Sequence, residues 1–434
     1  MPFATSGART SRMTPSEPTG HRLSPAHGQV ALPLVRPQRD VASITEVMCV
    51  TLAGLSDELI ELRRDLHAHP ELAGDEVRTT TVVADRLIAA GIRVRLLAGG
   101  LVADIGPADP EYRVALRADL DALPVAERTG LPFASVHDGV CHACGHDLHI
   151  AAVLGAGLAL HENVESLVAQ GTGVRLIFQP AEEVIPGGAQ RVIKAGGIEG
   201  VDAIFSIHCD PTLDVGEVGL RSGPLTSAAD RVTITLSGRG GHTARPHLTQ
   251  DLTYALAKVV TDVPAVLSRR VDPRAGVALV WGSLHSGSAS NVIPSAGTVG
   301  GTLRMLDAQL WDEIGPLLEE VVHAVVSPYG VSVKVEHVRG VPPVVNDPDC
   351  VETLHGAAVA AIGPDAPRPT LQSLGGEDFA WYVQEVPGAM ARLGTRTPGG
   401  ATYDLHQGDI IVDERAVLEG ARLLAASAIA AGRR

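Results

Sequence analysis

Short apolar runs alternate with helical stretches along the first half of this chain, and each run ends at a carboxylate or a histidine; no other feature limits its fold so strongly. Arg113 to Arg117 reads as a strand leading into Asp119 and Asp121, Val174 to Phe178 as a buried strand before Glu182 and Glu183, and Ala203 to Ile207 as another before His208. The Ala- and Leu-rich stretch after Asp147 and the segment Ala189 to Ala195 read as helices between them. Buried strands separated by helices belong to an α/β layer with a mostly parallel sheet flanked by helices. Open sheets of that kind bind ligands beyond the carboxyl ends of their strands, which is where these polar residues fall.

The pattern changes at Arg231. Val232, Ile234 and Leu236 alternate with Thr233, Thr235 and Ser237, the signature of a strand with one wet face, and Val331 to Val335 alternates likewise. Helical stretches around Tyr254 to Val263 and Leu310 to Val326 complete a β-α-β-β-α-β order, that of a small ferredoxin-like α+β sandwich. Residues 225–338 are therefore expected to form an inserted domain, and residues 46–224 and 339–434 a first domain closed by a helix near Glu414 to Ala431. Residues 1–45, rich in Ser, Thr, Pro, Gly and Arg, are expected to be a disordered extension, with Val30 to Val35 as a potential docking strand and Met48 as an alternative start. Order is expected from Ser56, an N-cap followed by Asp57, Glu58 and the stripe Leu59, Leu62, Leu66. A second helix from Thr80 to Ala90 stops at Gly91.

A length of 434 residues favours two domains. The formal charge is −15 and the only lysines are Lys194, Lys258 and Lys334, so there is no basic stripe for a phosphate backbone, and nucleic acid is excluded as a partner. No apolar run reaches the roughly 20 residues of a membrane helix, and the first 40 residues lack a secretory core. Five scattered cysteines do not make a disulfide framework. A cytoplasmic protein is expected.

Between Cys141 and His149, six potential metal ligands occupy nine positions. Cys144 and His146, two apart in an extended turn, are placed to point the same way. A redox pair or half of a structural zinc site is the alternative reading of Cys141 and Cys144, but no second such pair exists, and neither alternative uses the histidines or the downstream carboxylates. His142 and His149 read as supporting or structural groups. Glu182 and Glu183, placed after a buried strand, suit a cleft in which one ligates and the other takes a proton from water. With His208, these clusters provide enough ligands for two metals.

The runs Leu62 to Glu71, Leu116 to Pro124, His142 to Asp147, Phe178 to Glu183, Gly238 to His242, Asn291 to Pro294, Gly376 to Phe379 and Leu405 to His406 together resemble the M20 metallopeptidases, in particular the amidohydrolase branch of hippurate hydrolases, aminoacylases and auxin-conjugate hydrolases. The resemblance runs from about Leu62 to Leu424. It implies metal ligation by Cys144, His146, Glu183, His208 and His406, with Glu182 as general base and Asp121 as a buried orienting residue. Asp119 stands where other branches place a histidine. Residues 225–338 would be a lid and dimerisation domain, in which His242 reaches the substrate of a neighbouring subunit and Asn291 and Arg304 help bind it. The implied cofactors are two divalent ions (zinc, manganese or cobalt), the implied substrate is a small N-acyl amino acid, and the implied assembly is a homodimer or homotetramer. A dipeptidase or carboxypeptidase of the same family and a non-catalytic metal-stabilised binding protein are the rival readings. Cys141 departs from the family pattern, and a disulfide to Cys144 that expels metal is expected under oxidation.

Overall fold

The computed structural model describes residues 41–432. The expected extension lies outside the described residues as far as residue 40, together with Val30 to Val35. Its last five positions are helical, which corrects the reading of residues 1–45. The first helix spans Val41–Ala68 and encloses Ser56, so Ser56 caps nothing. Ile44, Met48 and Leu52 carry the apolar stripe of Leu59 and Leu66 back by spacings of four, and all five are buried. Packing against the neighbouring helices holds these turns.

Eight strands form the larger sheet. Its centre is parallel, in the order Thr172–Gln179, Tyr112–Asp119, Ala203–Asp214 and Gly388–Arg396. Leu101–Ile105 and Val94–Leu96 extend one edge in antiparallel fashion, and Val218–Leu220 with Pro367–Pro369 extends the other. Successive residues point to opposite faces, so Val114 and Leu116 enter one core and Ala115 another. The helices Val41–Ala68, His146–Glu162 and Arg415–Ala431 pack together on the first core. The helix His146–Glu162 is buried from His146 through Leu160, consistent with its lack of a polar face.

A second sheet is antiparallel throughout, in the order Ala278–Ser286, Ala296–Met305, Ala228–Ser237 and Ser332–Val341. The helices Leu252–Arg270 and Ala308–Val326 cover it and share a core of their own with it. The first of these continues past Val263 through Pro264, and Leu267 is still buried beyond the proline. Trp311, in the second helix, stacks edge-on against Trp381 of the short helix Ala380–Glu385, with centroids 5.7 Å apart. No described helix is long and apolar enough to cross a membrane.

Candidate metal centre

The parallel strands deliver their carboxyl ends to one place. Tyr112–Asp119 ends just before Asp121, Thr172–Gln179 just before Glu182 and Glu183, and His208 lies within Ala203–Asp214. The turn bearing Cys144 passes through Gly145 at φ +84 into the helix His146–Glu162. A Cβ on Gly145 would lie 2.6 Å from Cys209 Sγ, so the left-handed turn and its close packing both require glycine. Two non-glycine residues, Ala181 and His406, also hold positive φ, at 55 and 63. Both adjoin the site, and such strain persists only where the surroundings over-determine the backbone. The Ala181 N–H donates to Glu76 Oε1 at 2.6 Å, and the His406 N–H donates to the Ala143 carbonyl at 2.8 Å.

Two histidines present the same face. His146 Nδ1 donates to the Asp121 carbonyl at 2.8 Å, and His208 Nδ1 donates to the Cys209 carbonyl at 2.9 Å. Each ring is thereby fixed with its Nε2 lone pair turned inward. His208 Nε2 lies 3.5 Å from Cys144 Sγ. His146 Nε2 lies 3.8 Å from Glu183 Oε1, and His406 Nε2 lies 3.3 Å from that same oxygen. Neither His146 Nε2 nor Glu183 Oε1 has a hydrogen-bond partner, although both are buried. Buried polar atoms are rarely left so, and donors that converge without bonding one another fit a cation. The overlapping sets Cys144–His146–His208 and Cys144–Glu183–His406 each have ligand atoms within 4.8 Å of one another. A thiolate with imidazoles suits zinc, while the carboxylates also accept manganese or cobalt.

Asp121 orients the two glutamates. Its carboxylate accepts the N–H of Glu182 and of Glu183, each at 2.9 Å. Glu182 shares a further cluster with Glu377 and Asp378. Burial, and then Glu377 and Glu183, push the Glu182 carboxyl well above the usual range. Burial opposes charge on His146, but Asp119, Asp121 and Glu183 outweigh it and raise the imidazole to about 10. His208 is held neutral by burial and by Arg392, as a nitrogen ligand must be.

Cys144, His146, Glu182, Glu183, His208, His406 and Asp121 are therefore brought together. Of the residues expected to meet the substrate, His242 belongs to none of the converging His, Cys, Asp and Glu groups among the described residues. His242 and Asn291 are exposed at a small ribbon of the second sheet's segment, where the Thr243 N–H donates to the Asn291 carbonyl at 3.2 Å. Arg304 donates to the Leu374 carbonyl, three residues before Glu377. His149 is a supporting group. Its Nδ1 bonds Asp119 Oδ1 at 2.7 Å and its Nε2 accepts the Cys209 N–H at 2.9 Å, which leaves no lone pair for a metal. The fully buried Arg117 bonds Asp119 at 2.6 Å and Asp378 at 2.8 Å. Its role went unread in the sequence, although an arginine inside an apolar strand is itself a signal of buried acids. Cys141 and Cys144 are both free thiols. Burial, together with Glu127 and Asp147, pushes the Cys141 thiol up to about 11, which keeps thiolate scarce and opposes the oxidation expected there.

The model of peptidase family M20/M25/M40 matches residues 115–430. N-acetyl-L-cysteine deacetylase of Bacillus subtilis is 37% identical over 385 residues, which cover 87% of this chain and 89% of that protein. A putative glutamate–cysteine ligase of Rhodococcus jostii is 49% identical over 371 residues; these make up 85% of this chain but 46% of that protein, so this chain spans less than half its length. The crystal structure of a dinuclear metal-binding M20 peptidase from Bacillus subtilis superposes with a TM-score of 0.75 at 32% identity, over 87% of this chain and 98% of that one. A family match of this extent, with a relative similar along nearly its whole length, is membership: the chain belongs to peptidase family M20/M25/M40 and is a metal-dependent amidohydrolase.

Proposed function

We propose that this protein hydrolyses the amide bond of N-acyl amino acids, with two divalent cations held by Cys144, His146, Glu183, His208 and His406 and with Glu182 as general base. The observation that carries this reading is the pair of imidazoles locked through Nδ1 to backbone carbonyls, with both Nε2 atoms facing Cys144 and Glu183 and a further carboxylate alongside. A purely binding role has no use for that additional carboxylate. When bound, cations in such a site polarise the acyl carbonyl and acidify a water molecule. Glu182, whose burial and carboxylate neighbours would be offset by the cations' charge, accepts a proton in its ionised form as the water oxygen bonds to the acyl carbon, and delivers it to the amide nitrogen as the C–N bond breaks, leaving an acid and a free amine. Asp121 holds Glu182 in place through its backbone N–H.

The deacetylase relative makes N-acyl cysteines the first substrates to try. His242 and Asn291, both exposed, suit a contribution to the site of a neighbouring subunit, which requires at least a dimer. Five free thiols suit a reducing compartment. The test is a panel of N-acetyl, N-benzoyl and long-chain N-acyl amino acids and dipeptides, offered to zinc-, manganese- and cobalt-loaded protein with Glu182→Gln as control. Release of free amino acid from the acylated substrates, absent in the variant, supports the reading; turnover of dipeptides alone makes the protein a dipeptidase.

A further inference from the structure

Behind the donor cluster lies a buried ionic chain that the proposed chemistry does not use. Asp147 follows His146 in the first turn of its helix; its Oδ2 forms an ion pair with Arg63, 2.6 Å from Nε, and accepts a hydrogen bond from His67 Nδ1 at 2.9 Å. The other nitrogen of His67 lies 3.2 Å from Glu127 Oε1. His67, Asp147 and Arg63 are all buried, and the Glu127 side chain is only 6% exposed. The residues around Glu127 stand against the far end of the chain. The Arg128 N–H donates to the Gly408 carbonyl at 2.5 Å, and a Cβ on Gly408 would come within 2.0 Å of the Ala126 carbonyl oxygen. Gly408 lies two residues after His406.

We propose that His67 is a positioning residue that couples the two halves of the metal centre, holding the Cys144–His146 turn in register with the loop that carries His406. Arg63 alone would neutralise Asp147. The imidazole adds a rigid span from that carboxylate to Glu127, and so to the segment packed on Gly408. The backbone already links the two groups where the His406 N–H donates to the Ala143 carbonyl, and His67 adds a second, side-chain link; without it that single bond carries the register, and cations held by both groups would be bound less tightly. Groups hydrogen-bonded directly to ligands typically set metal affinity by about 10- to 100-fold, and that range is the expectation carried to His67, which acts through Asp147 and Glu127.

The inference rests on the ligand assignment proposed above, and the test separates the two. Zinc is titrated into chelated full-length protein by calorimetry, and thermal unfolding is recorded with and without zinc. Wild-type protein is expected to take up two ions per chain, and His67→Gln is expected to bind at least one of them about 10- to 100-fold more weakly. Glu127→Gln, which keeps an acceptor but loses the charge, should shift affinity in the same direction by less, and it carries the test if His67→Gln does not fold. Glu414→Gln, which cuts only the outer partner of Arg63 and Arg64, should bind zinc as wild type does. Equal zinc affinity in wild type, His67→Gln and Glu127→Gln, with only the metal-free protein destabilised, makes the chain merely structural and overturns the inference alone. Wild-type protein that takes up no zinc overturns the ligand assignment and this inference with it.

Discussion

Glu182 and Glu183 are adjacent, and both backbone N–H groups bond the same Asp121 carboxylate, yet their side chains meet different surroundings. Glu183 faces His146 and His406, whereas Glu182, which also lies within reach of His146 and Glu183, joins Glu377 and Asp378. Glu182→Gln is accordingly expected to lower turnover by about 10² to 10⁴ while leaving metal content unchanged, as read by kinetics beside elemental analysis. Equal loss of metal would make Glu182 a ligand instead. A pH effect belongs to the Glu127–His67 pair. Burial opposes the Glu127 charge, but hydrogen bonds from His67, Thr129 and Ser135 outweigh it and lower the carboxyl from 4.5 to about 2. Its contribution to stability is therefore complete above pH 4.5 and lost as pH falls toward 2. His67 is raised above 6.5, since Asp147 outweighs its burial, so its contribution is complete below that pH and lost as pH rises through the folded value. Urea midpoints of wild type should fall more steeply than those of Glu127→Gln between pH 4.5 and 2; parallel curves would mean that the carboxylate is not held by these bonds. The sequence exposed Cys144, His146, Glu183 and His208 because each follows a short apolar run or stands in the dense Cys/His run, although the strand read as ending before His208 continues to Asp214. His406 has no such signal, lying in a loop at positive φ, and was reachable only through the family resemblance.

At the scale of elements, periodicity placed the strands Tyr112–Asp119, Thr172–Gln179 and Ala203–Asp214 and the interior of most long helices, but it did not find the central strand Gly388–Arg396 or the helix Pro348–Ala361, and it failed where burial rather than local pattern sets a boundary. The helix Val41–Ala68 is already formed fifteen residues before Ser56, where Ile44, Met48 and Leu52 find partners that only the folded chain supplies. Leu52→Ala is expected to cost about 2 to 5 kcal/mol in chemical denaturation, as for other fully buried leucines. A change below about 0.5 kcal/mol, the range of exposed sites, would show that these turns add nothing. The turn at Gly145 is the other sensitive element. Gly145→Ala sets a Cβ against Cys209 in a left-handed backbone, and about 1 to 3 kcal/mol of strain is expected, together with weaker metal uptake. Retention of wild-type stability and metal content would mean that the turn relaxes freely.

The whole molecule joins a mixed sheet that carries the donors to an antiparallel sheet whose segment carries His242, Asn291 and Arg304. The donors come from segments as distant in sequence as Cys144 and His406, and for that reason the local pattern could suggest a two-metal site without closing it. If His242 serves a neighbouring subunit, mixing Glu182→Gln with His242→Ala protein should restore activity that neither variant has, because a mixed dimer contains one complete site; a mixture as inactive as its parts would remove His242 from that role. The central claim is that amide hydrolysis here depends on a pair of cations in this donor cluster. Its most direct measurement is hydrolysis of N-acetyl-L-cysteine by chelated protein during stepwise readdition of zinc, manganese or cobalt, with bound metal counted at each step. Activity should be absent without metal, rise with loading and saturate at two ions per chain; undiminished turnover by protein shown to be free of metal would contradict the account.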